Sequence, residues 1–221
     1  VYSTVDNIIE KERLQMLSLI IGIIAAVLLL ILYLNRVNVT LDKAVKIVVN
    51  AKVSRPSVCN AVDTVLVDEK VAPAFFRQLQ PAFDQHKVEM IAEAKAYKLL
   101  KEYPFLKKAG AADFDTEFLS LRCAVKVVKD IDEALEHIHQ HSTKHSEAIV
   151  SENKKKCQRF LLGVDAAAVY TNASTRFTDG EELGLGAEIG ISTQKLHARG
   201  PFALEKLVTE KWLLQGNGQV R

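Results

Sequence analysis

The stretch NAKVSRPSVCNA, residues 50–61, contains the side chain best suited to covalent chemistry, the thiol of Cys59. Cys59 follows an apolar run and comes three residues after Pro56, with Ser57 and Asn60 close by, which is typical of a nucleophile on a loop at the end of a strand or helix. A thiolate is a good nucleophile and a good leaving group, so it can hold an acyl group as a thioester. Buried cysteines that only fill space in the core are common, however, and the spacing alone favours this packing role for Cys59.

A second polar stretch, ASTRFTDG at 173–180, combines hydroxyls, a guanidinium and a turn after a predicted strand. Loops at the carboxyl ends of parallel strands are where open α/β sheets bind ligands. Arg176 suits a carboxylate or a phosphate because its planar fork donates two hydrogen bonds at once. Polar residues are equally typical of surface turns, so the residues by themselves leave both interpretations open.

Four histidines, at 137, 139, 141 and 145, form the only cluster in the sequence with metal-ligand character. On a helix His137 and His141 share a face while His139 points away, so at most two ligands converge. No cysteine or carboxylate at ligand spacing completes a tetrahedral set. We therefore expect a helix end at the surface and no metal site.

Gly184, Gly186 and Gly190 superficially match a dinucleotide-binding loop. Such a loop directly follows an apolar strand, whereas here the acidic sequence DGEE at 179–182 comes first. The glycines therefore predict a tight turn that leads into a packed segment.

Composition restricts the class of protein. The 221 residues are enough for one or two domains, and 48% hydrophobic with 25% charged residues is ordinary for a globular chain. The formal net charge of +2 gives no basic field, so nucleic acid is not expected as a partner. The three cysteines are odd in number and contain no close CxxC pair, which argues against a disulfide framework and indicates a reducing compartment.

Apolar, β-branched segments alternate with amphipathic ones after residue 41, which predicts an α/β fold with a parallel sheet and flanking helices. Asp130 is expected to cap one helix, with Glu133 completing a capping box. Residues 88–106 stay ambiguous, with a helical middle that Pro104 ends. The predicted strands cover 64–67, 124–128, 148–150 and 166–170, and the predicted helices cover 71–83, 131–141 and 153–162.

A single apolar helix is predicted ahead of this fold. After a polar segment at 1–13, residues 14–35 contain no charged side chain. A helix of this length can cross a bilayer core of about 30 Å. We therefore expect a transmembrane helix at 14–35. Basic residues are denser after it, which predicts that the C-terminal part lies in the cytoplasm: Arg36, Lys43, Lys46, Lys52 and Arg55.

Three further stretches extend the pattern around Cys59, namely HSEAIVSEN (145–153), DAAAVYTNASTRFTDG (165–180) and LGLGAEIGISTQKLHARGP (183–201). Together with NAKVSRPSVCNAVDTVLV they resemble, in the same order, gamma-glutamyl phosphate reductase, also called glutamate-5-semialdehyde dehydrogenase, a branch of the aldehyde dehydrogenase superfamily. The resemblance covers about 41–221 and is absent before residue 40. It implies an aldehyde dehydrogenase-like catalytic domain at 41–202, followed by a C-terminal helix and oligomerisation tail at 203–221.

This resemblance implies a reaction, the NADPH-dependent reduction of gamma-glutamyl phosphate to glutamate-5-semialdehyde and phosphate, the second step of proline biosynthesis. Cys59 is then the nucleophile that forms a thioester. Glu117 and Phe118 resemble the superfamily's contact with the ribose beside the nicotinamide. The implied substrate-binding residues are Asn60, Ser174, Thr175 and Arg176.

Relatives in this family carry most of a dinucleotide-binding domain upstream of the matching part. We therefore expect this chain to be the catalytic part without most of the cofactor domain. The resemblance further implies a homo-oligomer, with glutamate 5-kinase as a pathway partner. Contact with a membrane is expected through 14–35, on the ground of its uncharged apolar run. The alternative is a catalytically inactive, membrane-anchored remnant that acts as a binding or interaction module.

Overall fold

The computed structural model describes the backbone of residues 2–221 and the side-chain surroundings of residues 11, 13–33 and 40–221. The chain divides into two compact units, the first ending at Asp42 and the second covering Lys43–Arg221. The long helix α1 (Tyr2–Val53) begins in the first unit, and its last turns belong to the second.

The first unit contains an apolar stretch of α1. Between Arg13 and Tyr33 this helix is long and apolar enough to cross a membrane, judged by length and composition only, and its side chains are exposed. The helix predicted at 14–35 is therefore present, whereas its insertion in a membrane stays a prediction.

The second unit is built on a parallel four-stranded sheet. Its strands, in their order across the sheet, are β1 (Thr64–Asp68), β4 (Arg122–Val128), β2 (Glu89–Ala92) and β3 (Leu106–Lys108). The central strand β4 contains Cys123, Ala124 and Val125, which are fully buried, as a strand covered on both faces requires. The predicted parallel sheet with flanking helices is confirmed. The helices that follow β1, β2 and β4 are α2 (Ala72–Asp84), α3 (Ala94–Leu99) and α4 (Ile131–His141), respectively.

The ambiguous stretch 88–106 resolves into strand β2, helix α3 and strand β3. Glu93 makes the change from strand to helix abrupt, because its carboxylate accepts hydrogen bonds from the N–H groups of Lys95 at 2.8 Å and Ala96 at 3.0 Å. The same carboxylate accepts the N–H of Val127 at 3.2 Å, so the start of α3 is tied to the central strand.

Two further strand pairs complete the unit. Strands β5 (Ser146–Ile149) and β6 (Ala168–Thr171) pair in parallel around helix α5 (Lys154–Gly163), and strands β7 (Gly190–Ser192) and β8 (Gly200–Phe202) pair antiparallel. In the segment predicted to begin with a helix, 203–221, the structure has one turn of 3-10 helix at Leu204–Lys206 and otherwise no regular element. Helical stability comes mostly from packing of one face, and the residues from 204 onward are exposed.

Asp130 caps helix α4 as predicted. Its carboxylate accepts the N–H groups of Asp132 at 3.0 Å and Glu133 at 3.1 Å. The capping box is different from the one expected, because Glu133 accepts the N–H of Lys129 at 2.8 Å, one residue before the cap.

Replacement of Asp130 by Ala removes the acceptor for both N–H groups. We expect a loss of about 1 kcal/mol in the free energy of unfolding, measured by urea denaturation. Asp132→Ala is the matched control, because the exposed ion pair of Asp132 with Arg159 contributes little and the variant should unfold close to the wild-type midpoint. Equal losses in the two variants would contradict the capping role.

Candidate functional site

Cys59 lies on a turn between the end of α1 and strand β1. The turn is closed by two backbone hydrogen bonds, from the N–H of Ala61 to the carbonyl of Val58 and from the N–H of Val62 to the carbonyl of Ala51, each 3.0 Å long. Cys59 itself is exposed, unlike Cys123, which is fully buried. The packing role that the spacing favoured for Cys59 is therefore wrong, because its thiol reaches the surface.

The turn is held against the 174–178 loop, which is more than a hundred residues away in sequence. The buried amide of Asn60 donates through Nδ2 to the carbonyl of Thr178 at 2.9 Å and accepts from Nη1 of Arg176 through Oδ1. In return, the hydroxyl of Thr175 donates to the carbonyl of Asn60 at 2.7 Å. Arg176 also donates through Nε to the hydroxyl of Ser54 at 3.2 Å.

These contacts bring together the four residues expected to bind substrate, but they also occupy most of their polar atoms. Asn60 and Ser174 are each 5% exposed, and the hydroxyl of Ser174 accepts the N–H of Arg176 at 3.3 Å. Nη2 of Arg176 makes no hydrogen bond within residues 40–221, so it is available to an anion. The arrangement suits Asn60, Ser174 and Thr175 to shaping the turn, and their contact with substrate stays a prediction.

A chain of hydroxyls runs behind this loop, and sequence reasoning missed it. Thr178 is fully buried, and its hydroxyl lies 2.7 Å from that of Ser146 and 3.0 Å from that of Tyr170. Ser146 in turn lies 2.6 Å from Nδ1 of His145. The signal in the sequence was the pair His145–Ser146 at the start of a strand, but His145 was considered only as a metal ligand.

The predicted cofactor contacts lie on the loop before β4. Glu117 is exposed and Phe118 is half-buried, and the N–H of Phe118 donates to Oδ1 of Asp63 at 3.2 Å. The carboxylate of Glu117 acts electrostatically on both Cys59 and His145. The structure therefore brings Glu117 near the candidate nucleophile.

The charges around Cys59 disfavour its thiolate in this chain. Partial burial raises the pKa of the Cys59 thiol, and the carboxylates of Glu188 and Glu117 raise it further. The backbone N–H groups of Cys59 and Asn60 lower the pKa, which shows that these donors face the sulfur. The same N–H groups are suited to stabilising negative charge on an atom bonded to that sulfur.

His145 is a neutral imidazole beside this site. Burial lowers its pKa, and the carboxylates of Glu117 and Glu188 oppose that shift only in part. Its Nε2 atom is buried and has no hydrogen-bond partner in the part of the chain that the structure describes.

Glu188 was also missed by sequence reasoning. It lies on the loop that contains Gly184 and Gly186, whose φ angles of +75° and +70° make the tight turn expected there. The carboxylate of Glu188 accepts the N–H of Gly180 at 2.9 Å. A Cβ atom at Gly180 would lie 2.4 Å from the carbonyl oxygen of Ala187, so only glycine permits this close approach.

The remaining histidines are packed rather than arranged around an ion. His137 and His141 share a face, with ring centroids 4.4 Å apart, and His139 is exposed. His137 is buried against Phe114, so its place is not the surface helix end that was expected. Burial first, then Lys126 and His141, lowers the pKa of His137 to about 4. Among the described residues no three metal-ligand side chains converge.

The parallel sheet and the cysteine-bearing turn between α1 and β1 define an α/β domain of the aldehyde dehydrogenase type, as the resemblance implied. A solved structure of gamma-glutamyl phosphate reductase from Thermotoga maritima superposes with a TM-score of 0.79 at 47% identity, over 82% of this chain and 43% of that one. The gamma-glutamyl phosphate reductase of Streptococcus suis is 55% identical over 181 residues, which are 82% of this chain and 43% of that protein. No protein-family model matches the sequence.

The chain is therefore a relative of the gamma-glutamyl phosphate reductases, and the expected resemblance is confirmed. The similarity also extends further than 41–221, because the gamma-glutamyl phosphate reductase of Clostridium tetani aligns with 98% of this chain at 44% identity. The chain spans about half the length of the curated relatives it matches, from 42% to 51%.

Replacement of Glu188 by Gln should lower the pKa of the Cys59 thiol. Glutamine can still accept the N–H of Gly180, so the change removes the charge and keeps the contact. We expect the alkylation rate of Cys59 by iodoacetamide at neutral pH to rise about twofold, measured in a Cys157→Ser background.

Glu182→Gln is the matched control, because Glu182 is exposed on the same loop and has no effect on Cys59. An unchanged rate in Glu188→Gln, or an equal rise in Glu182→Gln, would contradict the assigned electrostatic effect.

Proposed function

We propose that the chain performs the cysteine chemistry of a gamma-glutamyl phosphate reductase, which reduces gamma-glutamyl phosphate to glutamate-5-semialdehyde and releases phosphate. The observation that carries this proposal is the exposed thiol of Cys59, with the backbone N–H groups of Cys59 and Asn60 facing its sulfur and Arg176 held beside the turn. The kinship with gamma-glutamyl phosphate reductases supports it, and no observation favours the inactive-remnant alternative.

The first step is acyl transfer to Cys59. The thiol loses its proton to solvent, and the thiolate attacks the acyl carbon of gamma-glutamyl phosphate. The bond from that carbon to the phosphate oxygen breaks, and inorganic phosphate leaves with the electron pair. The N–H of Cys59 stabilises the oxyanion that develops on the acyl oxygen, and the guanidinium of Arg176 offsets the negative charge of the substrate.

The second step reduces the thioester that Cys59 carries. NADPH, when bound, supplies the hydride for this step. The exposed carboxylate of Glu117 is free to accept hydrogen bonds from two ribose hydroxyls, so the residues present fit the ribose near the reacting ring. The C–S bond to Cys59 then breaks as the aldehyde forms, and the thiolate is restored.

The acyl-transfer step is testable in this chain without any cofactor. Gamma-glutamyl phosphate is supplied continuously by glutamate 5-kinase, glutamate and ATP, and the protein is analysed by mass spectrometry. We expect one gamma-glutamyl adduct on the peptide containing Cys59, removable by neutral hydroxylamine, as a thioester is.

Two variants make this test specific. Cys59→Ser should lose the hydroxylamine-sensitive adduct, because a hydroxyl is a poorer nucleophile than a thiolate. Cys157→Ser should keep it. An adduct that survives in Cys59→Ser, or its absence from the wild-type chain, would overturn the proposal.

The partners follow from the same proposal. The tail after the 3-10 turn exposes large apolar side chains, which favours contact with a second copy of the chain in a homo-oligomer; they include Trp212, Leu213, Leu214 and Val220. The catalytic unit would work in the cytoplasm, beside glutamate 5-kinase, which makes its unstable substrate.

The apolar part of α1 is proposed to anchor the chain in a membrane, on the grounds of its length and composition. We expect the intact chain to stay in the membrane fraction after carbonate extraction. The double variant Ile23→Arg, Leu28→Arg should move to the soluble fraction, because each arginine at a helix centre costs about 2.5–3.5 kcal/mol of insertion free energy. Recovery of the wild-type chain in the soluble fraction would contradict anchoring.

A further inference from the structure

Lys52, in the last turn of α1, is fully buried. Its ammonium group lies 3.5 Å from Oδ1 of Asp63 and 3.4 Å from the carbonyl oxygen of Ser120. Removing a charge from water is costly, and an apolar side chain of similar length often fills such a space with no loss of stability. A buried lysine with partners this distant therefore calls for a role other than stabilising the fold.

The two partners of Lys52 point to one segment, Glu117 to Ser120. The oxygen of Asp63 that faces Lys52 also accepts the N–H of Phe118 at 3.2 Å. Asp63 thus holds the segment at Phe118, and Lys52 holds it at Ser120. The two contacts lie on either side of Leu119.

Leu119 has a φ angle of +50°, in the left-handed region that residues with a side chain rarely adopt. Its side chain is 51% exposed, so burial does not impose this conformation. A strained backbone persists only where the surroundings over-determine it. The contacts on either side of Leu119, at Phe118 and Ser120, provide that constraint.

The same pair lies at the base of the loop that carries Cys59. Lys52 precedes this loop and Asp63 follows it, and the backbone hydrogen bond from Val62 to Ala51 closes the loop beside them. One ion pair, of the buried Lys52 with the half-buried Asp63, therefore contacts both the loop that carries Cys59 and the segment that contains Glu117.

We propose that Lys52 and Asp63 are positioning residues, which hold the Glu117–Phe118 segment in a fixed place relative to Cys59. The value of that placement to the reaction rests on the proposed function, in which Glu117 contacts the cofactor. The placement itself can be measured without cofactor, because Glu117 and Glu188 are the carboxylates that act on the Cys59 thiol.

The first measurement is the pH dependence of iodoacetamide alkylation of Cys59 in a Cys157→Ser background, where the remaining Cys123 is fully buried. Lys52→Met removes a positive charge and Asp63→Ala removes a negative one. If the pair positions Glu117, both variants free this carboxylate to move away from the sulfur. Both should then lower the pKa of Cys59 by roughly 0.3 to 0.5, the effect of one charge several ångströms away in a solvated site.

A direct effect of the deleted charges predicts the opposite pattern. Loss of the lysine would raise the pKa of Cys59, and loss of the aspartate would lower it. In a Glu117→Gln background the positioning effect should vanish for both variants. Lys107→Met is the control, because it breaks the ion pair of another lysine, with Glu89 at 2.7 Å, and should leave the pKa of Cys59 unchanged.

The second measurement is hydrogen exchange at the amide of Phe118, which should speed up in both variants. It also decides the outcome if Asp63→Ala, which leaves a buried lysine unpaired, fails to fold, since Lys52→Met then serves alone. Shifts of opposite sign, a shift that persists in Glu117→Gln, or unchanged exchange at Phe118 would overturn the inference. These results leave the proposed function standing, because formation of the Cys59 thioester tests that separately.

Discussion

The hydrogen bonds between Asn60 and the 174–178 loop are the interaction on which the candidate site depends. Asn60 follows Cys59 directly, so its amide decides where the thiol lies, and the amide is buried with a backbone acceptor at Thr178 and a guanidinium donor at Arg176. A buried amide that lost these partners would incur the full desolvation penalty of its polar groups. This penalty keeps the turn that carries Cys59 and the 174–178 loop packed together, although more than a hundred residues separate them in sequence.

The electrostatic surroundings of Cys59 favour the protonated thiol over the thiolate. Partial burial and the carboxylates of Glu188 and Glu117 keep the pKa of Cys59 raised, while only its own backbone donors and that of Asn60 favour the anion. Because the thiolate is the reactive form of a cysteine, the raised pKa lowers the reactivity of Cys59.

The segment that contains Glu117 is also held in position by a few polar contacts. The disfavoured backbone conformation of Leu119 is held by hydrogen bonds on both sides, one to Lys52 and one to Asp63, rather than by apolar packing. Hydrogen bonds to charged groups are directional, whereas apolar contacts are not, so these polar contacts can fix the position of a short loop where an apolar cluster would only cover it.

The sequence by itself determined the layered architecture and the residue types of the site. Alternating apolar patterns placed the strands at 64–67 and 124–128 close to their observed bounds, Asp130 was recognised as a cap, and Cys59 and Arg176 were recognised by chemical type and family resemblance. Only the tertiary structure decided that Cys59 is exposed and that His137 is buried. It also placed Glu188 and His145 beside the candidate site and left 203–221 without an α-helix. The physical reason is that propensity and periodicity are local, whereas burial, hydrogen-bond partners and pKa shifts depend on which distant segments meet.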